Sequence, residues 1–293
     1  MDGVIVVDKP AGCTSHDVVN RMRRLAQTRR IGHLGTLDPL ATGVLPLLIG
    51  RATRLAQYFG SNDKRYDATI RFGVTTDTYD REGSPTATCQ DFQLDRDQLD
   101  RALESYRGAF LQTPPPVSAK KIRGTPAYKL ARQNVAVELE PVEVTVHSLE
   151  LVETTSTTAR ILVHCSAGLY VRAIAHDLGQ QLGCGAILDE LRRTASGDFT
   201  IDESHTLEEL DELARADRLH EALIPAAQLL PQFPAEIVDP TTAGQIRQGR
   251  DFRVSPFRTR ANQRWVKAVT SDGELVAIGE ARLPTVYHPV LVL

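Results

Sequence analysis

The sequence lacks a long hydrophobic segment: no apolar run approaches the roughly 20 residues that a helix needs to span a bilayer. Residues 3–7 are apolar, but no basic leader precedes them and no small-residue cleavage site follows. We therefore expect a cytoplasmic protein with no membrane partner. The 293 residues suffice for one large and one small domain, and 42% hydrophobic and 24% charged residues are typical of globular chains.

Cysteine is scarce as well. The four cysteines are far apart, none is paired in a Cys-x-x-Cys motif, and none has a histidine at ligand spacing. This pattern argues against a structural zinc cluster and favours free thiols. We therefore expect no metal.

An excess of basic charge is also missing, because the formal net charge is -3. Such a balance argues against a protein that coats nucleic acid indiscriminately. The charges are nevertheless segregated: arginines crowd residues 21–30, whereas acidic residues concentrate at 202–217. This segregation favours a local phosphate-binding face with an acidic surface elsewhere.

Residues 32–43 form the most informative segment, with the sequence GHLGTLDPLATG. Its three glycines permit unusual backbone angles, and Pro39 biases Asp38 toward an extended conformation. The pattern predicts a stiff loop that presents one carboxylate, with His33 and two threonines nearby. The alternative is a glycine-rich connection in which Asp38 only caps a turn.

Hydrophobic periodicity predicts an α+β fold. Residues 65–72 alternate, so that Tyr66 points to the interior or into a cleft. Ser15 is expected to cap a helix with Arg21 and Arg24 on its outer face. Other strands are predicted at 4–8, 44–49, 142–153, 159–165 and 187–193, and other helices at 95–106, 127–132, 169–182 and from Thr206 through Leu213.

The character of the chain changes near residue 234. Short strands are predicted at 236–238, 265–270 and 275–280, with a helix at 241–249. We therefore expect two domains, comprising residues 1–233 and 234–293, of which the second is small and rich in β-strands.

The segment at residues 32–43 resembles, nearly letter for letter, the catalytic loop of the TruB family of bacterial tRNA pseudouridine synthases. Three more segments match that family in the same order, namely VDKPAG at 7–12, DKRY at 63–66 and CSAGLYVRAIAHDLG at 165–179. The resemblance implies a pseudouridine synthase fold with a mixed, mainly antiparallel sheet flanked by helices. The C-terminal part weakly resembles a PUA-like RNA-binding domain.

The resemblance further implies an enzyme that flips uridine 55 out of the T loop of tRNA and isomerises it to pseudouridine without a cofactor. The catalytic residues that it implies are Asp38, Tyr66 and Arg172. The substrate-binding residues that it implies are His33, Tyr170, Leu191, Lys9, Lys64 and Arg65. The basic clusters suggest contacts to the RNA backbone from Arg21, Arg24, Arg192 and Arg193. Neither a metal nor a guide RNA is implied, and we expect a monomer.

An unperturbed aspartic acid has a pKa of about 3.9, so Asp38 should be ionised at neutral pH. A neighbouring Arg172, as the resemblance implies, should lower that pKa further, by roughly 1–3 units. Attack of Asp38 on C1′, attack on C6, and departure of the base through a glycal intermediate all stay open. Tyr66 is the candidate acceptor of the C5 proton, but a phenol with a pKa near 10 needs help in that role.

Three other functions are compatible with parts of the sequence. The chain could be a tRNA-binding or tRNA-folding protein in which catalysis is secondary, or a synthase subunit that depends on a guide RNA. A glycoside hydrolase is a more distant alternative, because no second carboxylate stands at a defined spacing from Asp38.

Overall fold

The structure is a computed structural model of the chain. It describes residues 1–60, 62–115, 117, 121–122, 125–126, 139–255 and 263–293, and every structural statement below concerns these residues. The helix that the sequence predicts at 127–132 lies outside them.

The described chain alternates between strands and short helices. Its strands are β1 (Gly3–Lys9), β2 (Ile31–His33), β3 (Thr42–Ile49), β4 (Lys64–Phe72), β5 (Val74–Thr76), β6 (Pro85–Thr88), β7 (Gly108–Gln112), β8 (Lys121–Ile122), β9 (Thr125–Pro126), β10 (Val142–Thr154), β11 (Thr158–Cys165), β12 (Ala186–Ser196), β13 (Phe199–Thr200), β14 (Ile224–Pro225), β15 (Ala235–Val238), β16 (Phe252–Arg253), β17 (Trp265–Thr270), β18 (Leu275–Leu283) and β19 (Val286–Val292). Its α-helices are α1 (Ser15–Leu25), α2 (Arg96–Leu103), α3 (Val171–Gln181), α4 (Leu207–Arg215) and α5 (Pro240–Arg247). Single 3₁₀ segments occupy Gly50–Tyr58, Glu104–Tyr106, Ile201–Glu203, Leu219–Ala222 and Ala226–Gln228.

The larger sheet has ten strands in the order β14-β1-β3-β12-β4-β11-β10-β7, with β2 attached to β3 and β13 attached to β12. The pair β3–β12 is parallel and the other pairs of this sheet are antiparallel. The prediction of a mixed, mainly antiparallel sheet is therefore confirmed. Because β3, β12 and β4 are adjacent, the loop that leads into β3 lies beside the starting residues of β4, and Tyr66 is paired with Arg193 across the ladder.

The helices α1 to α4 cover one face of this sheet. Met22, Leu99, Ile174, Leu178 and Leu210 come from these helices and are fully buried against it. Burial of one such side chain stabilises the fold by about 1.5–3 kcal/mol. This helical layer fixes the position of α3, whose first turn reaches the predicted site.

Five strands within residues 235–253 and 265–292 form a second sheet in the order β15-β17-β18-β19-β16, so the prediction of a β-rich C-terminal region is confirmed. Ala243 and Ile246 of α5 pack on one side of it. Its other side shares a hydrophobic cluster with the larger sheet, in which Leu275 and Leu291 join Val6 of β1. The domain boundary between residues 233 and 234 stays a prediction. The two sheets are in contact, because buried apolar side chains of both belong to this one cluster.

The helix α1 begins one residue earlier than the sequence suggests. Thr14, not Ser15, is its N-cap: the Thr14 hydroxyl accepts from the backbone N–H of Asp17 at 3.1 Å, and the Asp17 carboxylate accepts from the Thr14 N–H at 2.9 Å. This reciprocal pair is a capping box. The prediction for Ser15 is wrong because its hydroxyl is bonded elsewhere, to the backbone of Leu37.

No helix within the described ranges has both the length and the apolar character that a membrane crossing requires.

Two helical glycines differ in their surroundings and provide a test of the packing of α3. A Cβ atom on Gly179 would lie 2.0 Å from the backbone nitrogen of Ala186, whereas a Cβ atom on Gly244 of α5 would meet nothing within 4 Å. Overpacking of a core costs about 1–3 kcal/mol, and an unstrained Gly→Ala change gains about 0.4–1 kcal/mol. We expect Gly179→Ala to lower the free energy of unfolding in urea and Gly244→Ala to leave it equal or higher. Equal decreases in both variants would contradict the close approach of α3 to β12.

Candidate active site

The loop between β2 and β3 is held in one shape by its glycines. Gly35 and Gly43 have φ values of +97° and +99°, which side chains rarely adopt. A Cβ atom on Gly43 would also lie 2.2 Å from the carbonyl oxygen of Arg193. Ser15 secures the middle of the loop, because its hydroxyl accepts from the N–H of Leu37 at 2.8 Å and donates to its carbonyl at 3.1 Å. Asp38 follows directly, so the stiff loop that the sequence predicts is present.

A buried lysine of β1 supports the same loop by hydrogen bonds to backbone carbonyls. Lys9 is completely buried, and its ammonium donates to the carbonyl oxygens of Pro10, Cys13 and Pro39 at 2.8, 2.7 and 3.3 Å. Burial lowers the pKa of Lys9. Its contacts join β1 to the loop rather than reaching into the cleft, and its role in substrate binding stays a prediction.

Asp38 and Arg172 form an ion pair, with Arg172 Nε 2.9 Å from Asp38 Oδ2. Arg172 lies in the first turn of α3, and only 5% of its side chain is exposed. Its Nη1 donates to the carbonyl of Thr78 at 2.9 Å, and its Nη2 to the carbonyl of Val117 at 3.0 Å. Each nitrogen of the guanidinium therefore has an oxygen partner, so its plane is fixed against the carboxylate.

A second carboxylate, that of Asp80, lies 3.6 Å from Nη1 of Arg172 and is itself buried. Sequence reasoning did not single out Asp80, since nothing in the local pattern distinguishes it from Asp77. Asp80 Oδ1 also accepts from the Thr78 hydroxyl at 2.6 Å and the Glu82 N–H at 3.0 Å. Arg172 is therefore shared between two carboxylates.

The protonation of Asp38 differs from the expectation. Burial raises the pKa of Asp38 above its ordinary value, the charge of Arg172 opposes this, and the charge of Asp80 adds to the increase. The prediction that Arg172 would bring the pKa below its usual range is therefore wrong. The reason is that removing the carboxylate from water costs more than one guanidinium returns, although 37% of the side chain still faces the cleft.

Tyr66 and Arg193 are neighbours across β4 and β12, and the charge of the Arg193 guanidinium acts on the phenol of Tyr66. Arg193 is 1% exposed and donates to the carbonyls of Val44 at 2.7 Å and Gly35 at 3.0 Å. Burial raises the pKa of Tyr66, and the charge of Arg193 partly offsets this. Arg193 thus connects the loop to Tyr66 from inside the protein, whereas the sequence suggested a contact to the RNA backbone.

Asp38, Tyr66 and Arg172 line one cleft with a volume of about 420 Å³. Five more of the residues singled out in the sequence line it too: His33, Lys64, Tyr170, Leu191 and Arg193. Phe59, which the sequence did not single out, contributes to the wall of the cleft. The structure therefore brings together residues from five separate segments of the chain, at 33–38, 56–60, 64–66, 167–172 and 191–193.

Two of the lining residues are basic side chains whose burial favours the neutral form. Burial lowers the pKa of His33, as does the charge of Arg193, so its imidazole is neutral at neutral pH. Its Nδ1 is buried and has no hydrogen-bond partner among the described residues. Burial also lowers the pKa of Lys64 to about 8, and its ammonium donates to the carbonyl of Asn62 at 2.8 Å.

The backbone of Tyr170 is clamped by a buried amide that sequence reasoning missed. Gln112, 2% exposed, accepts from the N–H of Tyr170 at 2.8 Å and donates to its carbonyl at 3.1 Å. Tyr170 is the N-cap residue of α3, so this clamp sets both the ring and the adjacent Arg172. The only signal in the sequence is a glutamine at the end of a strand, before a run of prolines.

The remaining predicted contacts lie away from the cleft. Arg192 forms a bidentate pair with Asp8 at 2.7 and 3.0 Å. Arg21 is bonded to Asp211 and lies 3.6 Å from Glu208, whereas Arg24 and Arg65 are exposed. Arg21 and Arg192 are therefore already paired with carboxylates, and the exposed arginines are the freer ones to meet a phosphate.

Comparison with protein families gives two adjoining matches. Residues 23–171 match the TruB family pseudouridylate synthase N-terminal domain, and residues 172–231 match the tRNA pseudouridylate synthase B C-terminal domain. The boundary between the two matches falls between Val171 and Arg172. It therefore divides the residues that line the cleft.

Individual relatives cover the whole chain. A protein named tRNA pseudouridine synthase B from Solibacter usitatus is 59% identical over all 293 residues of both chains. One of the same name from Aquifex aeolicus is 39% identical over 96% of each chain.

Among solved structures, a Cbf5–Nop10–Gar1 complex contains a chain that is 27% identical with a TM-score of 0.70, covering 97% of this chain and 79% of that one. The archaeal box H/ACA sRNP Nop10–Cbf5 complex gives the same TM-score at 24% identity, covering 99% and 85%.

The shared guanidinium leads to a prediction about Asp38. Asp80→Asn removes a negative charge that raises the pKa of Asp38, so the pKa of Asp38 should fall in that variant. Carbon-13 NMR titration of the labelled carboxyl groups measures this directly. Asp189→Asn is the control, because Asp189 lies on β12 and pairs with Arg71 at 3.5 Å instead. An unchanged or higher pKa of Asp38 in Asp80→Asn would show that Asp80 does not act on it through charge.

Proposed function

The chain belongs to the TruB family of pseudouridylate synthases and is a pseudouridine synthase; from this premise we propose that it isomerises uridine 55 in the T loop of tRNA to pseudouridine. The observation that carries the proposal is the 2.9 Å ion pair of Asp38 with Arg172 in a cleft that Tyr66 and Tyr170 also line. Relatives with 59% and 39% identity carry the name tRNA pseudouridine synthase B, which supports tRNA as the substrate. A tRNA substrate also fits the cytoplasmic location expected from the sequence.

The reaction breaks the bond between N1 of uracil and C1′ of ribose, turns the base, and joins C5 to C1′. The C5 proton is lost and a proton returns to N1, so the product is an isomer and no electrons are exchanged. Asp38 supplies the anionic oxygen, whether at C1′, at C6 or beside a glycal intermediate. The charge of Arg172 favours the ionised form of that oxygen, opposing the effect of burial. Arg172 also aims the oxygen, because the other guanidinium nitrogens are held by backbone carbonyls.

Tyr66 is proposed to stack on the base and to accept the C5 proton. Burial makes the phenol a weaker acid, so its deprotonated form needs support. The positive charge of Arg193 supplies that support, and it was not expected from the sequence. Tyr66 therefore acts together with Arg193.

The uridine must leave its stack before it can reach Asp38. Extrusion of a base costs a few kcal/mol, and stacking on an aromatic ring returns about 1–3 kcal/mol. Tyr66 and Tyr170 provide such rings, and Leu191 provides an apolar wall. We propose that the neutral imidazole of His33, the last residue of β2, enters the space in the tRNA that the extruded nucleotide leaves.

Two alternatives lead to different assays. The chains of similar fold in the Cbf5 complexes come from assemblies with partner proteins, so a guide-dependent activity would require such partners. A tRNA-folding role would not require Asp38. We favour a stand-alone monomer, because the cleft is complete within this chain.

The first test uses the purified protein alone with unmodified tRNA. Wild-type protein should convert uridine 55, and Asp38→Asn should reduce the rate by at least about a thousandfold while tRNA binding is kept. Asp67→Asn is the matched control, because Asp67 lies on the same strand as Tyr66 but pairs with Arg160 on the exposed side. Product mapping by chemical labelling and reverse transcription measures both position and rate.

Three outcomes would overturn the proposal. Modification at another uridine would refute the position, and full activity of Asp38→Asn would refute the catalytic assignment. No product from wild-type protein without added partners would favour the guide-dependent alternative.

A second test concerns the basic approach to the loop. Arg24, Arg29 and Arg30 are exposed around the end of α1, whereas Arg21 is paired with carboxylates. Replacing these three arginines with glutamate should weaken tRNA binding and flatten its dependence on salt, by roughly 0.7–0.9 in slope for each phosphate that the variant no longer neutralises. Arg218→Glu is the control, since Arg218 is paired with Glu221 beyond α4. An unchanged salt slope in the triple variant would exclude this surface as the tRNA interface.

A further inference from the structure

A cluster outside the cleft brings one carboxylate and two imidazoles together just before β4. Asp63 Oδ2 lies 3.2 Å from Nε2 of His147 and 3.3 Å from Nε2 of His164. All three potential ligand atoms lie within 4.8 Å of one another. We propose that Asp63, His147 and His164 bind a divalent transition-metal ion, with Zn²⁺ as the best fit.

Two of the three separations between the ligand atoms match a zinc site. Zinc binds histidine nitrogen and carboxylate oxygen at about 2.0–2.2 Å, and tetrahedral angles then place neighbouring ligand atoms about 3.3 Å apart. The two separations to Asp63 have this value. A charge-assisted hydrogen bond between the same groups would be shorter, at about 2.7–2.9 Å.

The backbone supplies a specific reason for the meeting of the two histidines. The register between β10 and β11 shifts between Val146 and Ser148, so His147 is the extra residue of a β-bulge. The bulge breaks the alternation of β10, and His147 and Ser148 are consecutive exposed residues. Bulges re-aim side chains, and here the bulge turns His147 toward the face that carries His164.

The chemistry of the donors limits the kind of ion. Imidazole nitrogens suit zinc, copper and nickel, whereas magnesium and calcium prefer an all-oxygen set. The side chains of Asp63, His147 and His164 are 45%, 39% and 30% exposed, so a fourth position is open to water. The ligands come from three separate segments, which is why the spacing rules that argued against a metal in the sequence could not find them.

A bound ion would connect the start of β4 to β10 and β11. Asp63 directly precedes β4, whose first residues include Lys64 and Tyr66. The ion would therefore stabilise the N-terminal end of the strand that carries Lys64 and Tyr66. A ligand that binds only the folded state raises its stability by an amount set by concentration and affinity. Thermal stability is therefore a readout that does not depend on enzymatic activity.

The test uses the full-length protein after treatment with EDTA. Titration with Zn²⁺ in a calorimeter should show one site, and the melting temperature should rise and return after EDTA is added. His147→Gln and His164→Gln should each weaken Zn²⁺ binding by at least about tenfold. His288→Gln should not, because His288 forms a similar exposed pair with Asp251, at 2.7 Å, without a third ligand in the described chain.

Equal Zn²⁺ affinity in the wild type and in His147→Gln would overturn the proposal, as would no binding to the wild type at millimolar Zn²⁺. X-ray absorption of zinc-loaded wild-type protein provides a check that needs no variant. Two imidazoles in the coordination shell would support the site, and none would refute it.

Discussion

Three buried cations determine the shape of the cleft. Lys9, Arg172 and Arg193 are exposed by 0, 4 and 1% respectively, and burial of an unpaired charge is costly. Each is instead surrounded by backbone carbonyl oxygens, several of them from the loop around Asp38. The buried carbonyl oxygens require hydrogen-bond donors, and the buried cations require hydrogen-bond acceptors, so each group satisfies the other. The loop is therefore held in place by interactions that do not involve the reacting groups.

Arg172 differs from the other two because it also faces carboxylates. Its guanidinium pairs with both Asp38 and Asp80, so its positive charge is divided between the two carboxylates. Asp38 is therefore easier to protonate than it would be if Arg172 paired with Asp38 alone. The orientation of the guanidinium against the carboxylate is still fixed. The cleft therefore offers an anionic oxygen that is well positioned but not strongly stabilised, which fits the role proposed for Asp38.

Much of the site could be predicted from the sequence, because its signals are local. Glycines and Pro39 define the loop, and alternation in β4 directs Tyr66 inward. The direction of the pKa shift of Asp38 could not be predicted, since it depends on burial by distant elements. Gln112 and Asp80 carry no local signal, and Arg193 looks like a surface residue until its strand is placed beside β3. The cap of α1 was missed by one residue because Ser15 is used by the loop.

The start of β4 unites these features. Lys64 and Tyr66 point into the cleft, whereas Arg65 lies opposite His164 on the other side, next to the proposed metal ligands. Because side chains alternate along a strand, a slip of one residue would exchange the two sets. The register is fixed on both edges, by Tyr66 opposite Val163 in β11 and opposite Arg193 in β12. One strand thus supplies residues to both faces, and an ion held beside Asp63 would reinforce the register on which the position of Tyr66 depends.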